Sequence, residues 1–245
     1  MSSRYPVQFK PIERDRFELN RELLELVENT IALIRRHPDL KKETFLFRSL
    51  PSNPFPRKPP FGFDAQKLFT MAFGIREELG MDEVRFCENI QKLIDGCQDL
   101  DMIKKALGTA FERYILMLKT ATFTDEVYFN SNVFVKGAIV EYQGYRSIDI
   151  GVDHLDSREY LELCECCLTI SGFKRKDTQI GFYAQALKEI RSVVGTTDHL
   201  RIELCAASPG GTSWEKIIIP YLSDLKKSDV SVVGVTYLSS EEVEL

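Results

Sequence analysis

The sequence predicts a protein of mixed class, α/β in the broad sense and α+β in its segregation, with a helical region over residues 1–99 and a mixed sheet flanked by helices over 100–245. Two observations carry this. Over the first 120 residues apolar side chains recur every three or four positions, the spacing of an amphipathic helix, and beyond them the period drops towards two, with runs rich in Val, Ile, Tyr and Phe. From Leu100 onward the runs follow the order α, β, β, β, α, β, α, β, which implies a mixed sheet with helices on both faces.

Leu19, Leu23, Leu26, Thr30, Ile31 and Ile34 make one stripe of a first helix that Pro38 limits. The stretch PSNPFPRKPP, residues 51–60, excludes helix and interior strand, and reads as an arm packed on its own domain or docked on a partner. Helical windows follow over 64–79, 82–97 and 100–119, separated at Gly80 and Gly96. In the last window Met102, Ile103, Ala106, Leu107, Ala110, Phe111, Tyr114, Ile115 and Leu118 form a broad apolar face of the kind a helix buried against a sheet requires. The runs VYFNSNVFVKG, AIVEYQGYRSIDIGV and EYLELCECCLTI read as strands, with a turn at Asp156-Ser157. A helix over 177–194, the strand LRIELCAA, a helix over 213–227 and the strand SVVGVTYL complete the chain.

Of the 245 residues, 44% are hydrophobic and 28% charged, the composition of an ordinary globular protein with a real core. There is no apolar run of the ~18 residues a membrane span needs, and the opening MSSRYPVQFKPIERDR lacks a signal-peptide core, so the expectation is a cytoplasmic protein without a membrane partner. Six cysteines are too sparse for a disulfide framework and read as thiols. The net charge of −5 gives no global attraction to nucleic acid, so any such binding needs a local patch. Arg35-Arg36, Lys41-Lys42, Arg57-Lys58 and Lys174-Arg175-Lys176 are the basic runs, and the last stands nearest to residues with chemistry.

Two acidic side chains on neighbouring strands can hold a divalent cation, because Mg²⁺ takes hard carboxylate oxygens and completes its shell with water and phosphate. Asp149, in GYRSIDIGVD, and Glu165, in YLELCECC, are such a pair if their strands are adjacent. Strand alternation puts Glu165 and Cys167 on one face and Glu162, Cys164 and Cys166 on the other.

A helix, strands that carry an Asp and then an acidic residue two positions before a lysine, and a further helix and strand are the organisation of the PD-(D/E)XK restriction-endonuclease-like superfamily, which residues 100–238 resemble. ALGTAFERY resembles the leading helix of such nucleases, and the resemblance makes Glu112 a supporting carboxylate and metal ligand beside Asp149 and Glu165. QIGFYAQAL resembles the Gln-x-x-x-Tyr motif of RecB-type members and makes Gln179 and Tyr183 nucleic-acid contacts, one helical turn apart. At the family's lysine position, which offsets charge on the transition state, stands Cys167, a thiol that supplies no positive charge.

Two functional expectations follow from the resemblance. In one, the chain is a metal-dependent nuclease using Mg²⁺ or Mn²⁺, with Asp149, Glu165 and Glu112 at the metal, Lys174 or Lys176 as a relocated cation, and Lys174, Arg175 and Lys176 on the DNA or RNA. In the other it is a degenerate nuclease fold without a cofactor, a scaffold or nucleic-acid-binding subunit whose helical half docks on a partner protein. Either suits a restriction, repair or phage-defence assembly by analogy with the family.

Cys164, Cys166, Cys167 and Cys205, with His154 or His199, also raise zinc. A Cys-x-Cys-Cys run on one strand sends its thiols to opposite faces, poor geometry for one tetrahedral site, so Cys164 and Cys166 read as small core residues. Pro209-Gly210-Gly211-Thr212 reads as a strand-to-helix connector. Phosphate-binding loops, dinucleotide fingerprints, zinc-protease helices and nucleophile elbows do not occur.

Overall fold

In the computed structural model of the chain, the spacing of the first hundred residues becomes a set of short, capped helices. The structure describes residues 6–12, 19–37, 40, 46–47, 50, 55–74, 80–123, 127–154, 160–169, 177–194, 200–208 and 230–234. They divide into two units, one comprising residues 15–114 and the other residues 1–14 with 115–245. The division at 114/115 falls inside the long helix that starts at Leu100, where the sequence reading puts its boundary.

In the helical unit, α1 (Arg21–Arg36), α2 (Ala65–Phe73), α3 (Met81–Asp95) and the first turns of α4 (Leu100–Phe123) are each opened by a side chain that accepts an otherwise orphaned backbone N–H or its equivalent. Asn20 accepts the Leu23 N–H, Asp64 the Lys67 N–H and Asp99 the Met102 N–H, while at α3 the Gly80 N–H donates to Glu83. Leu23, Val27, Ile31 and Ile34 bury the inner stripe of α1, and Phe86, Ile90, Leu93 and Ile94 that of α3. Within the helical unit, Phe111 and Tyr114 of α4 pack on Phe47, with ring centroids 5.3 and 5.2 Å apart. Of the proline-rich stretch, residues 51–54 lie outside the described residues. Phe55 packs on Phe61 and Phe63 of its own unit, the arrangement of a folded-back arm.

The second unit is a sheet of seven strands: β1 (Val7–Pro11), β2 (Val127–Val135), β3 (Ala138–Ile139), β4 (Ser147–His154), β5 (Tyr160–Thr169), β6 (Leu200–Ser208) and β7 (Val230–Gly234). Their order is β1-β2-β4-β5-β6-β7, with β3 paired to β2. The β1, β2, β4 and β5 pairs are antiparallel, and the β5-β6 and β6-β7 pairs are parallel. Parallel neighbours need a crossover, and α5 (Asp177–Val194) supplies the one between β5 and β6. Helices therefore flank a mixed sheet, as the sequence predicts.

The core between sheet and α5 contains Phe9, Val133, Ile148, Leu161, Leu163, Ile202 and Leu204 from the strands and Ile180, Phe182, Ala186, Leu187 and Ile190 from the helix. β1 has no counterpart in the sequence reading, because a five-residue edge strand ending in Lys10 and Pro11 carries little pattern. The run AIVEYQGYRSIDIGV is not one strand. It breaks at a tight turn in which Tyr142 and Tyr145 exchange backbone hydrogen bonds around Gln143 and Gly144, both with positive φ, the conformation of a two-residue hairpin turn. The predicted turn at Asp156-Ser157, the connector at 209–212 and the helix over 213–227 lie outside the described residues.

Candidate functional site

β4 and β5 meet in register from His154↔Tyr160 to Ile150↔Cys164, and there the ladder stops. The cause is a side chain. Tyr183 of α5 accepts the Asp149 N–H at 3.1 Å and donates its hydroxyl hydrogen to the Cys164 carbonyl at 2.7 Å, so its oxygen stands between two strand groups. The Asp149 carboxylate then accepts the Cys166 N–H at 2.8 Å, closing the gap with a side chain in place of a carbonyl. On the other side of β4 the register with β2 is the same before and after residue 149, yet Asn130 of β2 has a φ of 43°, a local break in strand geometry beside the site.

The charges of Asp149 and Glu165 both bear on the Tyr183 hydroxyl. Burial first, then the charges of Glu165 and Asp149, push that phenol well above its ordinary value, so it remains a neutral hydrogen-bonding group. Both acids are interior: Asp149 is 2% exposed and Glu165 0%. Cys167, at the family's lysine position, is half-buried and packs against the core under α5.

A working Mg²⁺ centre in a nuclease needs carboxylate oxygens open to water and to a phosphate, because the ion keeps several waters and binds substrate oxygens directly. The donor set here does not fit that requirement. One Asp149 oxygen accepts a backbone N–H, both acids are enclosed, and Cys167 supplies no positive charge.

Gln179 donates to the Tyr145 hydroxyl at 3.1 Å and holds the 142–145 turn against α5, where Gly181 lets the Tyr142 ring approach. Tyr183 is fully buried and presents no surface to a nucleic acid. Glu112 lies on the stretch of α4 that counts with the helical unit and is buried there. Lys174, Arg175 and Lys176 lie outside the described residues.

A second cluster lies on the opposite face of β5. Strand alternation puts Glu162, Cys164 and Cys166 there, as the sequence predicts, and the parallel register sets them against Arg201, Glu203 and Cys205 of β6. Lys119, from the last turns of α4, reaches Glu162 at 2.7 Å and Glu203 at 2.9 Å, and is itself 7% exposed. Arg201 adds a 3.0 Å contact to Glu162 from a side chain 40% exposed. Burial would lift the Glu162 carboxyl, but Lys119 and Arg201 hold it down at about 2. Burial and the adjacent Glu162 push Glu203 up to about 7, against the pull of Lys119. The pair therefore behaves as a carboxylate beside a carboxyl group that keeps its proton into the neutral range.

The signal for this cluster was present in the sequence as a duplicated triplet, Glu162-Leu163-Cys164 and Glu203-Leu204-Cys205, in which an acid interrupts an apolar strand at the same place twice.

Among the described residues no helix is long and apolar enough to cross a membrane. No protein-family model matches the chain, and no curated protein matches it. Among solved structures, a protein of Vibrio cholerae known as VC1899 is similar at a TM-score of 0.37 and 11% identity, over 97% of this chain and 57% of that one, so the chain spans little more than half of its length, a likeness too distant to carry a functional argument.

Proposed function

We propose that the chain is a non-catalytic subunit built on a nuclease-like sheet, which serves as a scaffold or nucleic-acid-binding element in a restriction, repair or defence assembly. Support for the nuclease-like ancestry is the order α4, β2, β4, β5, α5, β6, with an Asp and a Glu where β4 and β5 separate. Support for loss of catalysis is one observation above the others: Asp149 and Glu165 are 2% and 0% exposed, with the Asp149 carboxylate bonded to the Cys166 N–H. In this reading an acid pair so enclosed from solvent acts as internal structure.

Incubation of the full chain with labelled single- and double-stranded DNA and RNA tests this reading, read both for cleavage with Mn²⁺ and for binding by fluorescence anisotropy across a salt series. The expected result is no cleavage. Binding whose affinity falls steeply with salt assigns the subunit to nucleic acid, because phosphate neutralisation releases counterions; no binding at low salt assigns it to a protein partner. Cleavage that depends on the metal overturns the proposal.

A further inference from the structure

Cys164, Glu203 and Cys205 bring three ligand atoms within 4.8 Å of one another, all buried, on the α4 face of the sheet. The register explains why. In the parallel β5-β6 pair Cys164 stands opposite Glu203, and Cys166 opposite Cys205, so four donor-type side chains occupy the corners of two consecutive same-face rungs. Neighbouring strands are about 4.8 Å apart, and that spacing lets side chains converge. The contacts show convergence: the Cys205 thiol donates to a Glu203 oxygen at 3.2 Å, and the Cys164 sulfur lies within 4.8 Å of both. Cys167, whose opposite orientation makes a site of all three β5 thiols unfavourable, takes no part.

We propose that Cys164, Cys205 and Glu203 form a binding site for a thiophilic divalent cation of the zinc class.

Tetrahedral zinc takes thiolate sulfur and carboxylate oxygen in mixed sets, with no preference imposed by d electrons. The cation stands where the Cys205 thiol hydrogen now lies, between that sulfur and the Glu203 oxygen. The exchange balances: one divalent ion enters, the thiol protons of Cys164 and Cys205 leave to solvent, and any proton on Glu203 leaves with them. The fully ionised site has two thiolates and one carboxylate around the ion, an excess of one negative charge. Lys119, 2.9 Å from one Glu203 oxygen, is placed to offset it, and Arg201 stands 3.7 Å from the other. In the chain without metal the Cys164 thiol is pushed well above its ordinary value, chiefly by burial, and Cys205 is raised as well. Uptake must therefore release protons and strengthen as pH rises.

The test is metal content of the untagged full chain, produced with zinc in the medium and purified without chelator, followed by unfolding with a chelator and refolding with Co²⁺. The expected result is about one zinc per chain as purified, and a thiolate-to-cobalt charge-transfer band on refolding, as coupled metal binding and folding produce. Cys164→Ser and Cys205→Ser should lose both signals, while Cys87→Ser, in the helical unit, should keep them. Because the first two variants could misfold, the wild-type measurement stands by itself: no stoichiometric zinc together with no cobalt–thiolate band overturns the proposal. A band that survives in the Cys164→Ser/Cys205→Ser double variant overturns it equally, since other thiols would then hold the ion.

Discussion

Tyr183 hydrogen-bonds the backbone of Asp149, and by also bonding the Cys164 carbonyl it takes a place between two strands that would otherwise pair directly. A helix side chain thus decides where the β4-β5 ladder ends. The acidic pair sits at that point because the Asp149 carboxylate replaces a missing carbonyl as the acceptor for Cys166.

Removal of the Tyr183 hydroxyl leaves a buried N–H and a buried carbonyl without their shared partner. Tyr183→Phe is expected to destabilise the chain by about 1–3 kcal/mol, the cost of stranding buried polar groups. Asp149→Ala, which strands the Cys166 N–H, should cost a similar amount. Denaturant unfolding followed by circular dichroism measures both; an unchanged midpoint in either variant would contradict the structural role assigned to it.

Lys119 is the buried cation between Glu162 and Glu203. Lys119→Met should destabilise by about 3–5 kcal/mol, because loss of one member of a buried ion cluster leaves uncompensated charge. The triple variant Lys119→Met/Glu162→Leu/Glu203→Leu should recover much of that loss, since an apolar set of similar volume carries no desolvation cost. Comparison of the two unfolding midpoints isolates charge from packing: equal destabilisation would show that packing alone is at stake.

The Glu203 carboxyl of the metal-free chain is raised from its ordinary 4.5 to about 7. Between those values the folded chain holds a proton that the unfolded chain has released, so this group's contribution is full below about 4.5 and is lost as pH rises through 7. Wild type should therefore lose up to about 3 kcal/mol relative to Glu203→Gln across that interval. Glu162 acts in the opposite sense, its contribution present above 4.5 and lost as pH falls towards 2. Chemical denaturation of both proteins in chelating buffer from pH 4.5 to 8 reads the difference, and a flat difference contradicts the assignment.

The sequence made the sheet and its flanking helices legible wherever one physical signal dominated. The α5 helix has the bounds 177–194 that its periodicity implies, and alternation correctly separates Glu165 and Cys167 from Glu162, Cys164 and Cys166. What it could not supply was depth. Asp149 and Glu165 read as acids on neighbouring strands whether the gap between those strands opens to solvent or is filled by Tyr183, and only the three-dimensional path of α5 decides that. Lys119 is one polar residue at the end of an apolar helix, and nothing local connects it to two glutamates 43 and 84 positions away, as its ion pairs do. Gln179 and Tyr183 share a helix face, as their spacing requires, yet serve different neighbours: the turn at Tyr145 and the strands at Asp149.

Asp149 and Glu165, the acids that resemble a nuclease pair, are enclosed in the sheet. The most direct measurement is cleavage of single- and double-stranded DNA with Mn²⁺ by the folded wild type, by Cys167→Lys and by Asp149→Ala. The expected result is no cleavage by any of the three, because a lysine placed at position 167 still meets carboxylates closed to solvent. Cleavage by the wild type or by Cys167→Lys, together with its absence in Asp149→Ala, would contradict the account and return Asp149 to a catalytic metal site.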